Sequence, residues 1–461
     1  MTPDPAQTAR LPARRGEPPL LPDDAVTAAA AAIPRPRQGP TLTLWASTPG
    51  GCEVQAAAEL AALGWQPAAV PTPPRAQAGW AHGLVWERGS VYGRADVASV
   101  LATLRAARTI TRVTLLVQAT RITTLDDVFA TVRHADLPDL PDAPFAVVAE
   151  RTGRHSFRSP DVARVAGDAV NARHRAATGR RLPVDLEHPT TVVRVEVTEE
   201  RLRVGCELTA GSLHRRAYYA ARHHAGVSPA VAAMLLGHAG WRAHERLVDP
   251  FCGAGTIAVE ATLAALRHPP RGPGVPDRLA PLGLADDRAR AAVDAAIAAA
   301  RRPTPTTTPT TASSTPPATA PTPLAVRARE REVAHVRQAW ANLAAAGLAD
   351  AASARPGGAI DLDRGDARRA DAYGTACDRV VTNPPYGLRA GWRLQLRDLY
   401  REALAATAAR LAPGGCAVWL ITAPRVAAAA AEPHGLVLTS RRAIGLGSFD
   451  AFACRFEHAQ P

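Results

Sequence analysis

The sequence predicts an α/β protein, a doubly wound sheet in the C-terminal half preceded by a smaller α+β region. Three observations predict it. From Arg246 to Glu260 an apolar strand, a glycine turn and a helix follow without interruption. From Leu324 onward, strand-like and helix-like segments alternate, as in a sheet wound on both faces. Between Val113 and Glu207 mixed strands with helices between them read as an α+β module.

Residues 1–40, rich in Pro, Arg and Ala without periodicity, are expected to be a disordered basic tail. Regular patterning starts at Thr41. Val54 to Leu63, closed by Gly64, reads as an amphipathic helix. Val113–Val117 reads as a strand, Leu125–His134 as a short helix, and Phe145–Glu150 and Thr191–Val197 as strands flanking a helix over Ser159–Thr178. Arg201–Glu207 returns as a strand. These elements assign residues 41–210 to the α+β region and residues 211–461 to the second domain. Ser228 and Pro229 open a helix as N-cap and first-turn proline, and it runs to about Gly237. A proline-rich irregular stretch reaches about Pro281, and a helix is expected from Asp286 to Arg302. Pro303–Pro323 contains only Pro, Thr, Ser and Ala and reads as a disordered insertion. Glu330–Ala346, closed by Gly347, reads as a helix. Arg379–Thr382 reads as a strand, Leu394–Leu411 as a helix, and Cys416–Thr422 as a final core strand.

Two motifs carry the chemistry. In the first, Asp249 ends a strand, and Gly253, Ala254 and Gly255 lead into a helix near Thr256. The glycines let the backbone approach a ligand, and the helix N-terminus offers free N–H groups to an anion. The same turn satisfies the dinucleotide fingerprint G-x-G-x-x-A, but that fingerprint wants an acid at a strand end about 20 residues on. Here that position falls in Pro270–Pro276, which cannot be a strand end. In the second motif, Asn383, Pro384, Pro385 and Tyr386 follow a β-branched run. Neither proline can donate to a ladder, so the segment is a stiff turn. It presents an amide, a carbonyl and an aromatic ring, which suit the grip of a planar amine. The Asn383 oxygen and the Pro384 carbonyl can accept both hydrogens of an exocyclic NH2, and the Tyr386 ring can stack on the base. A plain proline-stiffened turn is the competing reading of this segment alone. S-adenosylmethionine as cofactor accounts for both motifs, whereas a nicotinamide enzyme has no use for the second.

Bulk properties agree. The formal charge is +12 and the isoelectric point about 10.3, pointing to nucleic acid. Every basic residue is arginine, so compositional bias shares the explanation. Six scattered cysteines form no C-x-x-C pair, so no metal site or disulfide framework is expected, and a reducing cytoplasm fits. No apolar run reaches membrane-spanning length, so no membrane partner is expected. His223 and His224 lack partners at metal spacing and are read as surface. The sequence names no protein partner.

Asp249–Thr256 together with Thr382–Gly387 resembles the class I RNA methyltransferases that carry a THUMP domain, and more specifically the guanosine N2-methyltransferases of tRNA. Leu213–Tyr218 and Ser228–Met234 are similar to that family's entry into its Rossmann-like catalytic domain. Phe145–Phe157, Val184–Pro189 and Leu208–Leu213 are similar to a THUMP module, and Leu44–Gly50 with Glu59 and Leu60 to the ferredoxin-like piece before it. The resemblance implies that Asp249 orients the amino group of the methionine moiety and that Gly253, Ala254, Gly255 and Thr256 line its pocket. It implies an acid at the end of the second strand for the ribose. Glu330 stands at the family's distance, with Glu332 and Asp286 as competitors and a solvated helix-start carboxylate as the ordinary alternative. Asp366 is expected to accept from the adenine amine. Asn383, Pro384 and Tyr386 are the expected catalytic set. Arg151, Arg154, Arg158, Arg215 and Arg216 are candidate phosphate contacts, although each could as well be an ordinary solvated arginine. The implied reaction is methylation of guanine N2 in structured RNA, tRNA first. Large-subunit rRNA guanine N2, adenine N6, and a decayed enzyme retained as an RNA-binding module stay open at this point.

Overall fold

In the computed structural model, the described residues are 41–68, 78–220, 226–271, 275–301, 324–349, 352–353, 360–387, 393–447 and 449–459. The expected tail, the Pro303–Pro323 insertion and the His223–His224 pair lie outside them.

Two eight-stranded sheets organise the chain. In the first, β1 (Leu42–Ser47) is central and splits its side chains by alternation. Leu42, Leu44 and Ala46 face one core, while Trp45 lies on the opposite face with Val85, Tyr92 and Leu116. Helix α1 (Glu53–Ala62) packs on the first face and ends before Gly64 at φ +96°. A three-stranded meander not anticipated from the sequence follows: β2 (Ala78–Ala81), β3 (Leu84–Glu87) and β4 (Ser90–Ala95). His82 and Gly83 both take positive φ at the β2–β3 turn, as the twist of a two-residue hairpin requires. Helix α2 (Val97–Ala106) was also not anticipated, although Asp96 caps it by accepting from Ser99 N at 2.7 Å. Next come β5 (Arg112–Arg121) and α3 (Leu125–His134), the latter opened by a Thr124/Asp127 capping box. Then β6 (Phe145–Thr152), α4 (Ser159–Thr178), β7 (Thr191–Thr198) and β8 (Arg201–Glu207) complete the sheet, with β6 and β7 parallel across α4.

The second sheet follows α5 (Pro229–Ala239), which Ser228 caps. Its first strand is β9 (Leu247–Asp249), leading into α6 (Thr256–Ala265). After α7 (Asp287–Ala299) come β10 (Val326–Glu330), α8 (Val333–Ala345), the short β11 (Ala352–Ser353), β12 (Ile360–Arg364) and β13 (Cys377–Thr382). The C-terminal part holds α9 (Arg393–Ala408), β14 (Leu411–Ile421), α10 (Pro424–Ala431), β15 (Leu436–Gly445) and β16 (Asp450–His458). The strand order is β11-β12-β10-β9-β13-β14-β16-β15. The first six strands are parallel, and β15 and β16 form an antiparallel hairpin against β14. The order reverses between β9 and β13, which opens a crevice at their carboxyl ends.

Three expectations are corrected. Glu330 ends a strand, and the helix begins three residues later at Val333. The strand was hard to read because it carries Arg327 and Arg329, whose charges are met by Asp361 of β12 at 2.9 and 2.8 Å. Cys416–Thr422 is not the last strand, since the β15–β16 hairpin follows it. Finally, residues near Leu279 and α7 do not pack on the second sheet. Leu279, Leu282, Val293 and Ile297 join the core of the first sheet.

Candidate active site at the sheet switch point

A cavity of about 820 Å³ opens over the carboxyl ends of β9, β10 and β13. Asp249, Gly253, Ala254, Thr256, Glu330, Asp366, Asn383, Pro384 and Tyr386 all line it. Gly255 does not. It caps α6 at φ +79°, and a Cβ there would stand 3.0 Å from that of Ala339 on α8, so this glycine serves helix packing.

Asp249 is buried at the floor. Its Oδ1 accepts from Thr382 Oγ1 at 2.6 Å and Phe251 N at 3.3 Å. Burial pushes its carboxyl up to about 7; these two donors oppose the shift and nearby Glu330 adds to it. Glu330 is held by the glycine turn, with Gly253 N donating to Oε2 at 3.1 Å, and Arg331 N and Glu332 N donating to Oε1 at 2.9 and 3.1 Å. His335 stands 3.7 Å from the same carboxylate. Of the competitors, Asp286 is occupied in capping α7 away from the cavity. Glu332 lies on the cavity wall with its side chain mostly exposed. Asp366 is clasped by Arg368, whose Nη2 donates to Oδ2 at 2.5 Å. That pairing, chiefly, holds its carboxyl below the ordinary range.

The Asn383–Tyr386 turn is fixed from outside. Tyr400 of α9 donates to the Pro385 carbonyl at 3.0 Å, and Thr422, just after β14, donates to the Tyr386 carbonyl at 3.2 Å. No donor among the described residues reaches the Pro384 carbonyl. Tyr386 donates its hydroxyl to Asn383 Oδ1 at 2.6 Å, and its ring meets Phe449 edge-on at a centroid distance of 5.8 Å. Sequence reasoning missed Tyr400 and Thr422, which act through contacts rather than through a motif, and the bond by which Thr382, at the head of its motif, holds Asp249.

The candidate phosphate contacts divide. Arg154, Arg158 and Arg215 are exposed. Arg151 is half-buried and donates to Gly153 O at 2.6 Å. Arg216 is corrected, because its guanidinium is fully enclosed. It donates to Glu260 Oε1 at 3.0 Å and to the carbonyls of Leu213 and Arg108 at 2.5 and 2.8 Å. An arginine so enclosed has no face left for a phosphate. Among the described residues no group of acids, histidines or cysteines could hold a metal ion, and all six cysteines are buried and unpaired.

A sheet of this order, with a glycine turn after β9, acids at the ends of β9 and β10 and an Asn-Pro-Pro-Tyr turn at the end of β13, defines a class I methyltransferase fold. The site suits S-adenosylmethionine, since carboxylates at adjacent strand ends can meet an ammonium group and a ribose diol at once. Residues 216–446 match the family model described as RMKL-like, methyltransferase domain, and residues 123–207 match the THUMP domain. The chain is 29% identical over 362 residues to the tRNA (guanine(6)-N2)-methyltransferase of Archaeoglobus fulgidus, covering 78% of this chain and 81% of that protein. It is 30% identical to the Thermus thermophilus protein of the same name, covering 67% and 71%. The crystal structure of TrmN from Thermus thermophilus superposes with a TM-score of 0.61 at 26% identity, over 90% of this chain and 99% of that one. The chain belongs to the RMKL-like methyltransferase family and carries a THUMP domain upstream of its catalytic domain.

Proposed function

We propose that this protein methylates the exocyclic N2 amine of a guanosine in tRNA, using S-adenosylmethionine. The observation that carries the reading is the single cavity that places the Asn383–Tyr386 turn beside Asp249 and Glu330. The Archaeoglobus fulgidus and Thermus thermophilus relatives are both named tRNA (guanine(6)-N2)-methyltransferase, so guanosine 6 is the expected target here. Their names favour tRNA over the rRNA alternative and guanine N2 over adenine N6. With tRNA as substrate, the cytoplasm is the expected location. Among the described residues no helix is long and apolar enough to cross a membrane.

The cofactor supplies an electrophilic methyl group on a sulfonium. Asp249 meets its ammonium group, Glu330 its ribose hydroxyls and Asp366 its adenine amine, while Gly253, Ala254 and Thr256 shape the wall. Asn383 Oδ1 and the Pro384 carbonyl accept the two N–H groups of the guanine amine. That amine is a weak nucleophile because its lone pair is delocalised into the ring. Two acceptors orient the lone pair away from the ring plane and stabilise the positive charge that grows on nitrogen during attack. Holding the reactants about 3 Å apart supplies much of the remaining acceleration. The Tyr386 hydroxyl already engages Asn383 Oδ1, so it fixes the amide while the ring face supports the base. A paired base cannot enter, so the target must be unstacked. Arg151, Arg154, Arg158 and Arg215 are left as phosphate contacts.

The test is transfer of labelled methyl to unmodified tRNA and rRNA, followed by nucleoside analysis. Label on N2-methylguanosine in tRNA is the expected result; label on N6-methyladenosine or only on rRNA would overturn the substrate. Asn383→Ala is expected to lower transfer about 100-fold or more, with cofactor affinity within a few-fold in equilibrium binding.

A further inference from the structure

The segment Pro49–Cys52 belongs by sequence to the first sheet's domain, yet it is built into the second. Cys52 is fully buried and belongs to the same core of the second sheet as Ile444 of β15. Gly445 N donates to Gly50 O at 2.8 Å, and Arg88 pairs with Asp450 at the start of β16 at 2.7 Å. Gly51 sits at φ +93°, and a Cβ on it would stand 2.0 Å from Ala443 O. No side chain fits there without displacing the loop or the hairpin. Glu53 holds the loop in place by accepting from Gly51 N and Gly89 N at 2.8 and 2.7 Å.

The hairpin so gripped also touches the catalytic turn. Leu446 N donates to Phe449 O at 2.9 Å across its tip. The Phe449 ring abuts Tyr386, and Tyr386 in turn holds Asn383. We infer that Gly51 is a positioning residue for methyl transfer: the RNA-binding half of the chain sets the geometry of Asn383 through the β15–β16 hairpin. This rests on the role given above to Asn383. The device makes chemistry conditional on correct docking of the two halves, since any shift of the loop moves the hairpin tip and, with it, the Tyr386 hydroxyl.

The experiment compares full-length Gly51→Ala with Gly179→Ala. Both glycines have positive φ, but a Cβ at Gly179 meets nothing within 4 Å, so the control carries the backbone strain without the collision. Expected for Gly51→Ala is a kcat at least about tenfold lower, with KM for tRNA and cofactor affinity within about twofold; Gly179→Ala stays at the wild-type rate. Phe449→Leu should lower kcat likewise, and the double variant Gly51→Ala/Phe449→Leu should be no worse than the poorer single one, because coupled residues are not additive. Additive losses, or losses confined to KM, would overturn the inference. If Gly51→Ala does not fold, Arg88→Asp and Asp450→Arg take its place. Each should lower kcat and the pair together restore it, and no restoration would count against the brace. The wild-type product is read first. Absence of N2-methylguanosine there overturns the proposed function, whereas its presence with additive variants overturns only the brace.

Discussion

In the role proposed for it, Asp249 is placed for binding at the expense of the empty fold. Its carboxyl is pushed up to about 7 mainly by burial. The folded chain therefore retains a proton between about pH 4 and pH 7 that the unfolded chain has released. Stability from this group is present below the ordinary carboxylate range and is lost as pH rises through 7. Cofactor binding runs the other way, because an ammonium group needs the ionised form. Affinity for S-adenosylmethionine is expected to weaken about tenfold per unit below pH 7, and Asp249→Asn should bind weakly with a flat profile. Isothermal titration between pH 5.5 and 8.5 reads both. The same variant should raise the melting temperature of the cofactor-free protein at pH 8, since Asn can still accept from Thr382 and Phe251 N without a buried charge. Asn383 and Asp249 were legible as cavity residues in the sequence because each belongs to a local motif. Arg216 was not, because its partner Glu260 lies 44 positions away on another element.

At the scale of elements, the Asn383–Tyr386 turn is stiff for two separate reasons. Its prolines restrict its backbone, and neighbouring elements tie the Pro385 and Tyr386 carbonyls. Tyr400→Phe removes one tie and leaves an acceptor short of a donor, a loss of about 1 kcal/mol. The expected result is a few-fold fall in kcat with unchanged cofactor affinity; an unchanged kcat would mean that the prolines suffice. Strand β10 shows why element boundaries were harder to read than motifs. Val326–Glu330 alternates apolar and charged residues as a strand does, but its two arginines argue against a place inside a sheet, and Asp361 of the adjoining strand makes them tolerable there. The β15–β16 hairpin escaped for a related reason: in β15, exposed and half-buried polar residues such as Thr439, Arg441 and Arg442 interrupt the apolar run.

Across the whole molecule, the two sheets are joined by buried charge rather than by a loose linker. Glu260 of α6 takes Arg216 at 3.0 Å, Arg108 at 3.1 Å and the Tyr218 hydroxyl at 2.8 Å. Burial alone would raise its carboxyl, but Arg216 and Arg108 outweigh that and hold it below the ordinary range. Its contribution is therefore present above that range and lost on acidification. Glu260→Ala would strand two buried guanidinium groups and is expected to cost about 3–5 kcal/mol, read as a lower urea midpoint. Arg271 adds a second clasp, donating to the carbonyls of Thr103, Leu104, Ala107 and Leu213 at 2.5–3.2 Å. By closing the C-terminal end of α2 and gripping the inter-sheet segment at once, it binds the excursion that leads to α7 onto the first sheet. By itself the sequence determined the class of fold, the cofactor and the two motifs, because glycine turns, proline-stiffened loops and strand–helix alternation are properties of neighbouring residues. Only the tertiary structure decided which acid the glycine turn holds, that Arg216 is structural, that α7 belongs with the first sheet, and that Gly51 abuts the β15–β16 hairpin. Each of these depends on residues far apart in the chain, whose charge and volume must be matched across an interface that no local pattern records.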